Sequence, residues 1–214
     1  MAKVWWPKEP ERGSGPIHLS VPLWDYDDRY RGQAIVPHVV TGPYHLVRNA
    51  EFLASFEIKT ILCIRDPLEQ RFLRGVDLAG IACEFLDVPA DVRKANIIPY
   101  FVECARVIGE QVARGQTVLV CCSDGIDKSA SFVAAYLMST YGLRAVDAIT
   151  FVQNQRYCAT PSANGYRIKL IEYEPICAAA GVGAGAQKAR RRADDDEEEE
   201  APEKAAAGSN KRAR

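Results

Sequence analysis

Apolar positions in this chain come in short blocks whose spacing changes from one block to the next. "AIVPHVVTG" (34–42) and "KTILCIR" (59–65) are compact runs rich in β-branched residues, and they predict strands. Between them "RNAEFLASFE" (48–57) carries the spacing of a short helix, and "CEFLDV" (83–88) predicts another strand. From Ile97 onward Phe101, Cys104 or Ala105, Ile108 and Val112 recur at helical spacing, with Gly115 where a left-handed terminating residue belongs. "TVLVC" (117–121) is short, apolar and without alternation, the pattern of a central strand covered on both faces. Three more helical patterns follow, over Ser129–Thr140, Ala145–Gln155 and Gly165–Ala178.

Strand and helix patterns alternate with short connections. The expected architecture is therefore α/β, three α/β/α layers around a central, mostly parallel sheet. Ligands of such sheets bind beyond the carboxyl ends of the strands, which places the segment after "TVLVC" where chemistry belongs. Residues 1–30 are rich in Pro, Gly and charge and carry Trp5, Trp6 and Trp24, as expected of an N-terminal arm docked by a few rings. Residues 31–178 then make one domain. From 179 to 214 the sequence changes to AAAGVGAGAQ, KARRR, ADDDEEEE and NKRAR, whose small residues and like-charge blocks predict a disordered tail.

With 48% apolar residues in 214, the chain can bury a full core. Its formal net charge of −1 gives no global reason to bind nucleic acid or an anionic membrane, and neither is expected as a partner. No run of about 18 apolar residues and no leader-like segment is present, so a soluble monomer in the cytoplasm or nucleus is expected. KARRR and NKRAR read as import signals or as solubilising charge. Seven cysteines, scattered through apolar runs, and three separated histidines predict buried thiols, no disulfide set and no metal site.

The chemistry gathers in "LVCCSDGIDKSAS" (119–131). A strand ending in cysteine, a loop whose N–H groups turn inward and a helix N-terminus make an anion cradle that also stabilises a thiolate. Cys-x5-Arg closes such a cradle around phosphate. Here Cys122 is followed by Ser123, Asp124, Gly125, Ile126 and Asp127 and then by Lys128, so the spacing is kept with a lysine. The general plan is a thiolate nucleophile with a separate acid for the leaving oxygen, and it requires no cofactor.

Over residues 30–178 the sequence resembles the dual-specificity phosphatases of the protein-tyrosine-phosphatase superfamily, above all the Ser/Thr/Tyr-interacting (STYX) group. "ILCIR", "ANIIPYF", "SASFVAAYLMSTYGL", "AITFVQNQRYC" and "LIEYEPI" carry the likeness. The resemblance implies a phosphatase-type domain with Cys122 as nucleophile, Ser129 as the hydroxyl beside the thiolate and Asp91 as general acid. It implies Ser123 to Lys128 as the phosphate cradle. It also implies a binding role, with partners such as phosphoproteins, MAP kinases or F-box subunits.

Three departures set expectations for the site. Lys128 replaces arginine and loses its two-toothed grip on phosphate oxygens. Cys121 stands where the family has the histidine that organises the loop from beneath. Asp124 and Asp127 oppose a phosphate dianion by roughly 1–5 kcal/mol each at ~7 Å, toward the low end because loop side chains point outward when their N–H groups point in. They are also expected to raise the Cys122 pKa. A pseudophosphatase that binds a partner is the favoured reading, an active cysteine phosphatase the alternative, and a vicinal Cys121–Cys122 redox pair a third. "CATPSANGY" (158–166) is one residue longer than the family's loop, which leaves the role of Asn164 open.

Overall fold

Five strands, β1 (Gln33–Val36), β2 (Val39–Pro43), β3 (Ile58–Arg65), β4 (Ala82–Asp87) and β5 (Thr117–Cys122), pair in the order β1-β2-β5-β3-β4 in the computed structural model. Residues 5–12, 16–20, 23–78 and 80–181 are described. The β2–β5, β5–β3 and β3–β4 pairs are parallel. The stretch 34–42, expected as one strand, is instead an antiparallel hairpin of β1 and β2. Pro37 brings no backbone donor, and His38 adopts a left-handed φ of 65°, so the run folds back and supplies the sheet's antiparallel edge.

Helices α1 (Ala50–Ser55), α2 (Ile98–Ala113), α3 (Lys128–Tyr141) and α4 (Ala145–Gln155) follow the predicted patterns. Of the predicted 48–57 segment only its centre is α-helical, capped by Asn49, whose side chain accepts the Phe52 N–H, and preceded by a 3-10 turn over Tyr44–Arg48. Gly115 closes α2 as expected, with φ of 67°. A last helix, α5, spans 166–181 and runs past the expected end at Ala178. The remainder of the charged tail, 182–214, lies outside the described residues. Among the described residues no helix is long and apolar enough to cross a membrane.

Alternate side chains of the central strands feed two cores, which is why β3 and β5 read as unbroken apolar runs. Val118, Val120, Leu62 and Ile64 face a large core with α2 to α5, while Leu119, Cys121, Ile61 and Cys63 face a smaller one with α1 and the 3-10 turn at Tyr44. The sheet is thus the middle of three layers. Helix α3 is buried continuously from Ser129 to Met138, so its burial has no polar face over that length. Phe132 and Tyr136 are core side chains, with Tyr141 and Phe151 packed at its margin.

The N-terminal arm is docked by rings and also by hydrogen bonds. Trp6 lies 5.3 Å from the His38 ring and 6.0 Å from Phe56. The Ile17 N–H donates to Asp147, the Ser20 N–H donates to Asn154, and the Asn154 amide donates to the His18 carbonyl.

Phe101, with no exposure, stacks edge-on against Phe132 at 4.9 Å and lies 5.6 Å from Tyr173, joining α2, α3 and α5. Phe101→Ala should therefore lower the unfolding free energy by about 3–5 kcal/mol in urea titration. A loss under about 1 kcal/mol would mean that these helices are not packed through this ring.

Candidate active site

The carboxyl ends of the parallel strands bring three loops together. Residues 123–127 follow β5, Asp66 and Glu69 follow β3, and Asp91 follows β4. Arg65, the last residue of β3, braces the edge. Its Nε donates to Asp87 at 2.6 Å, its guanidinium lies 3.9 Å over the Phe85 ring, and Nη1 donates to the Leu73 carbonyl at 2.6 Å. Because Arg65 is directly paired with Asp87 in the β3–β4 register, strand pairing itself sets this clamp.

Cys122 ends β5 with 1% exposure. Its sulfur lies 3.4 Å from Ser129 Oγ and accepts the Gly125 N–H at 3.2 Å, so the turn expected of a catalytic loop is formed. Gly125 makes this possible: its φ is +70°, and a Cβ there would sit 2.4 Å from the Gly42 carbonyl carbon. Burial pushes the Cys122 thiol upward, Ser129 and the Gly125 N–H work against that, and the Asp124 charge adds to it; the net pKa is raised.

Asp124 departs from expectation. One carboxylate oxygen points inward, accepting the Cys122 thiol at 3.5 Å and the Ile126 N–H at 2.9 Å, although the residue as a whole is at the exposed mouth. Its short side chain turns back on the amide two residues on, a local bond that aspartate forms readily. Asp127 turns the other way and accepts the Ser162 N–H at 2.9 Å. Burial raises the Asp127 pKa, with the two Ser162 bonds opposing. Ser123 is exposed.

Lys128 is paired with carboxylates of the loop after β3. Its ammonium donates to Glu69 Oε1 at 2.9 Å and lies 3.0 Å from Asp66 Oδ2, with all three side chains mostly buried. Burial alone would lower the Lys128 pKa, but the hydrogen bonds and charges of Glu69 and Asp66 outweigh it and the net shift is upward. Asp66 is the mirror case: burial works upward, and Lys128 and the Leu68 and Glu69 amides bring its carboxyl below the usual range.

Asp91 lines a cleft of about 640 Å³ together with Asp66, Arg93, Asp127, Lys128 and Tyr166. It accepts the Arg93 N–H at 3.2 Å and pairs with the Arg93 guanidinium at 3.4 Å and Lys94 at 3.6 Å. Burial pushes this carboxyl upward, but Arg93 and Lys94 outweigh it, and Asp91 sits below the ordinary aspartate value. That direction suits a fixed anion better than a proton donor at neutral pH. Asn164 lines the same cleft, whereas the bonds to the loop from this segment come from the Thr160 N–H, to the Ile126 carbonyl at 2.9 Å, and from the Ser162 N–H, to Asp127.

Cys121 and Cys122 are successive strand residues and face opposite sides of the sheet, so they do not form the redox pair considered above. Cys121 is buried in the smaller core beside Cys63, its in-register neighbour on β3. Its pKa is raised by the Cys63 contact and by burial.

Three residues of the site were not singled out in the sequence. Asp66 and Glu69 sit in a stretch that reads as an ordinary charged loop. Arg156 directly follows α4 with no exposure, and beneath the catalytic loop its Nε donates to the Gly125 carbonyl at 2.8 Å. The other guanidinium nitrogens reach the Arg31 carbonyl at 2.8 Å, the Arg29 carbonyl at 2.9 Å and the Gln33 side chain. Its only signal was its place in "AITFVQNQRYC", one of the blocks that carry the family likeness.

Residues 42–176 match the family described as dual specificity phosphatase, catalytic domain. The chain is 36% identical over 155 residues to the serine/threonine/tyrosine-interacting protein of Homo sapiens, covering 72% of this chain and 69% of that protein. It is 31% identical over 141 residues to human dual specificity protein phosphatase 22, covering 65% of this chain and 72% of that one. The crystal structure of the human tyrosine phosphatase-like serine/threonine/tyrosine-interacting protein matches at a TM-score of 0.63 and 35% identity, over 68% of this chain and 96% of that one. The chain therefore belongs to the dual-specificity phosphatase family, on the side of its serine/threonine/tyrosine-interacting members.

Proposed function

We propose that this domain is a pseudophosphatase that binds a phosphoprotein or other signalling protein through the cleft at the carboxyl edge of the sheet, with catalysis absent or weak. The observation that carries the reading is the pairing of Lys128 with both Asp66 and Glu69. Transfer of a phosphoryl group needs a cation free to follow charge as it redistributes over the oxygens. Lys128 is already committed to two carboxylates, and a lysine lacks the planar fork in any case. Cys122 is a protonated thiol donating to Asp124, and Asp91 is paired with cations. Each of the three groups the reaction requires is in the wrong state. Partners of the kind the family binds, a MAP kinase or an F-box subunit, fit this reading. One observation favours the alternative of an active enzyme: Cys122, Ser129 and the Gly125 N–H keep the geometry of a nucleophile loop.

Turnover of a generic aryl phosphate separates the two. The purified protein should fall at least about 100-fold below active family members, and Lys128→Arg alone should not restore activity because Asp66 and Glu69 will hold an arginine as they hold the lysine. Rates typical of the family that vanish in Cys122→Ser would overturn the pseudophosphatase reading.

The protonation state of Cys122 has its own check. Because the folded thiol has a raised pKa, its thiolate fraction is small at pH 7 and grows only as pH climbs past the ordinary thiol value. Peptide-resolved alkylation with iodoacetamide should accordingly be slow at neutral pH and accelerate above about pH 9. Rapid alkylation at pH 6 to 7 would reveal a preformed thiolate and contradict the assignment.

A further inference from the structure

The two ends of a single peptide group in the catalytic loop carry opposite charges. The Gly125 carbonyl accepts Arg156 Nε at 2.8 Å, and the N–H at the other end of that peptide, belonging to Ile126, donates to Asp124 Oδ1 at 2.9 Å. Guanidinium, peptide dipole and carboxylate are thus aligned in series, positive group on the carbonyl oxygen and negative group on the N–H, the order in which each polarises the next favourably. Arg156 needs such a partner. It has no exposure, and the four groups that accept its hydrogen bonds are all neutral oxygens. A buried cation without an anion is strongly unfavourable. The acidic groups that feel it are Cys158, Cys122 and Asp124. Cys122 and Cys158 are thiols whose pKa burial raises, so Asp124, in contact with the Cys122 sulfur, is the one carboxylic side chain among them.

We propose that Asp124 is the built-in counter-anion of this loop: its carboxylate stands where an oxyanion would bind, balances the buried Arg156 through the Gly125–Ile126 peptide and so excludes phosphate. The carboxylate takes the Ile126 N–H, a loop amide that is then not free for a phosphate oxygen, and it lies against the sulfur from which an attack on phosphorus would start. A phosphate must displace a group already bonded there and also meet its charge. The loop is folded as an anion cradle because it holds an anion, supplied by its own chain. This inference rests on the reading of the site as non-catalytic, and the test reads anion binding instead of turnover, so that either can fail without the other.

The experiment compares full-length wild type, Asp124→Asn and Asp124→Ser, measuring thermal stability against inorganic phosphate and against tungstate, with titration calorimetry for affinity. Asparagine keeps an oxygen for the Ile126 N–H and removes the charge; serine removes most of the side chain. Wild type should show no saturable shift. Both variants should melt lower than wild type in anion-free buffer, recover as phosphate or tungstate is added, and bind the anion at least about tenfold more tightly than wild type. If Asp124→Ser fails to fold, Asp124→Asn carries the comparison. Wild-type binding within threefold of the variants would overturn the proposal. So would a gain in Asp124→Ser that is absent from a folded Asp124→Asn, since the carboxylate would then be only filling space.

Discussion

A guanidinium with no access to water lies beneath the catalytic loop, and much of the arrangement at that edge follows from it. Arg156 ties α4 to the Gly125 carbonyl, to the backbone at Arg29 and Arg31 where the arm enters the sheet, and to the Gln33 side chain at the start of β1. Three segments distant in sequence, the end of α4, the loop at Gly125 and the stretch 29–33, are fixed by one planar group, which suits arginine's rigid fork of donors. Such a residue is needed for the fold itself, because removing it would leave several carbonyl groups without partners. The loop's shape is held from below by a structural need, whatever happens to its chemistry above.

The residues facing the cleft obey a different rule. Active sites commonly hold groups in arrangements that cost stability. Here each charge has found a partner within the protein: Lys128 with Asp66 and Glu69, Asp91 with Arg93 and Lys94, Asp124 with the loop's own amide and thiol. The Lys128 bridge joins the start of α3 to the loop after β3 in a mostly buried setting, and breaking it from one side would strand a charge there.

Much of the fold was legible in the sequence because it rests on periodicity. The unbroken apolar run of β5, the helical spacing from Phe101 to Val112 and the terminating Gly115 each report a local constraint that the sequence states directly. The hairpin at Pro37 and His38 was missed because β1 and β2 are both apolar and only a left-handed turn two residues long separates them. At the site, Cys122, Ser129 and the loop turn were readable from spacing, since a strand, a glycine turn and a helix start leave few geometries open. The inward turn of Asp124 was not, because it depends on a choice between two local hydrogen-bonding options that spacing does not encode. Asp66, Glu69 and Arg156 were beyond reach for another reason: they act on residues 62, 59 and 31 positions away along the chain, through contacts that exist only once β3, β5 and α4 are assembled.

The same distinction shows why the loop's position does not depend on the side chains that face it. Gly125 is fixed by the backbone of Gly42, which a side chain at 125 would strike, and Gly42 is itself fixed by the parallel pairing of β2 with β5. Successive strand residues then send Cys121 into the smaller core and Cys122 to the opposite face of the sheet. A cysteine at 121 can take the place of a larger polar ring because it packs beside Cys63 among apolar neighbours, where it behaves as a small hydrophobe. A change of side chain at the loop therefore alters what the loop can hold and leaves intact the strand register that puts it there.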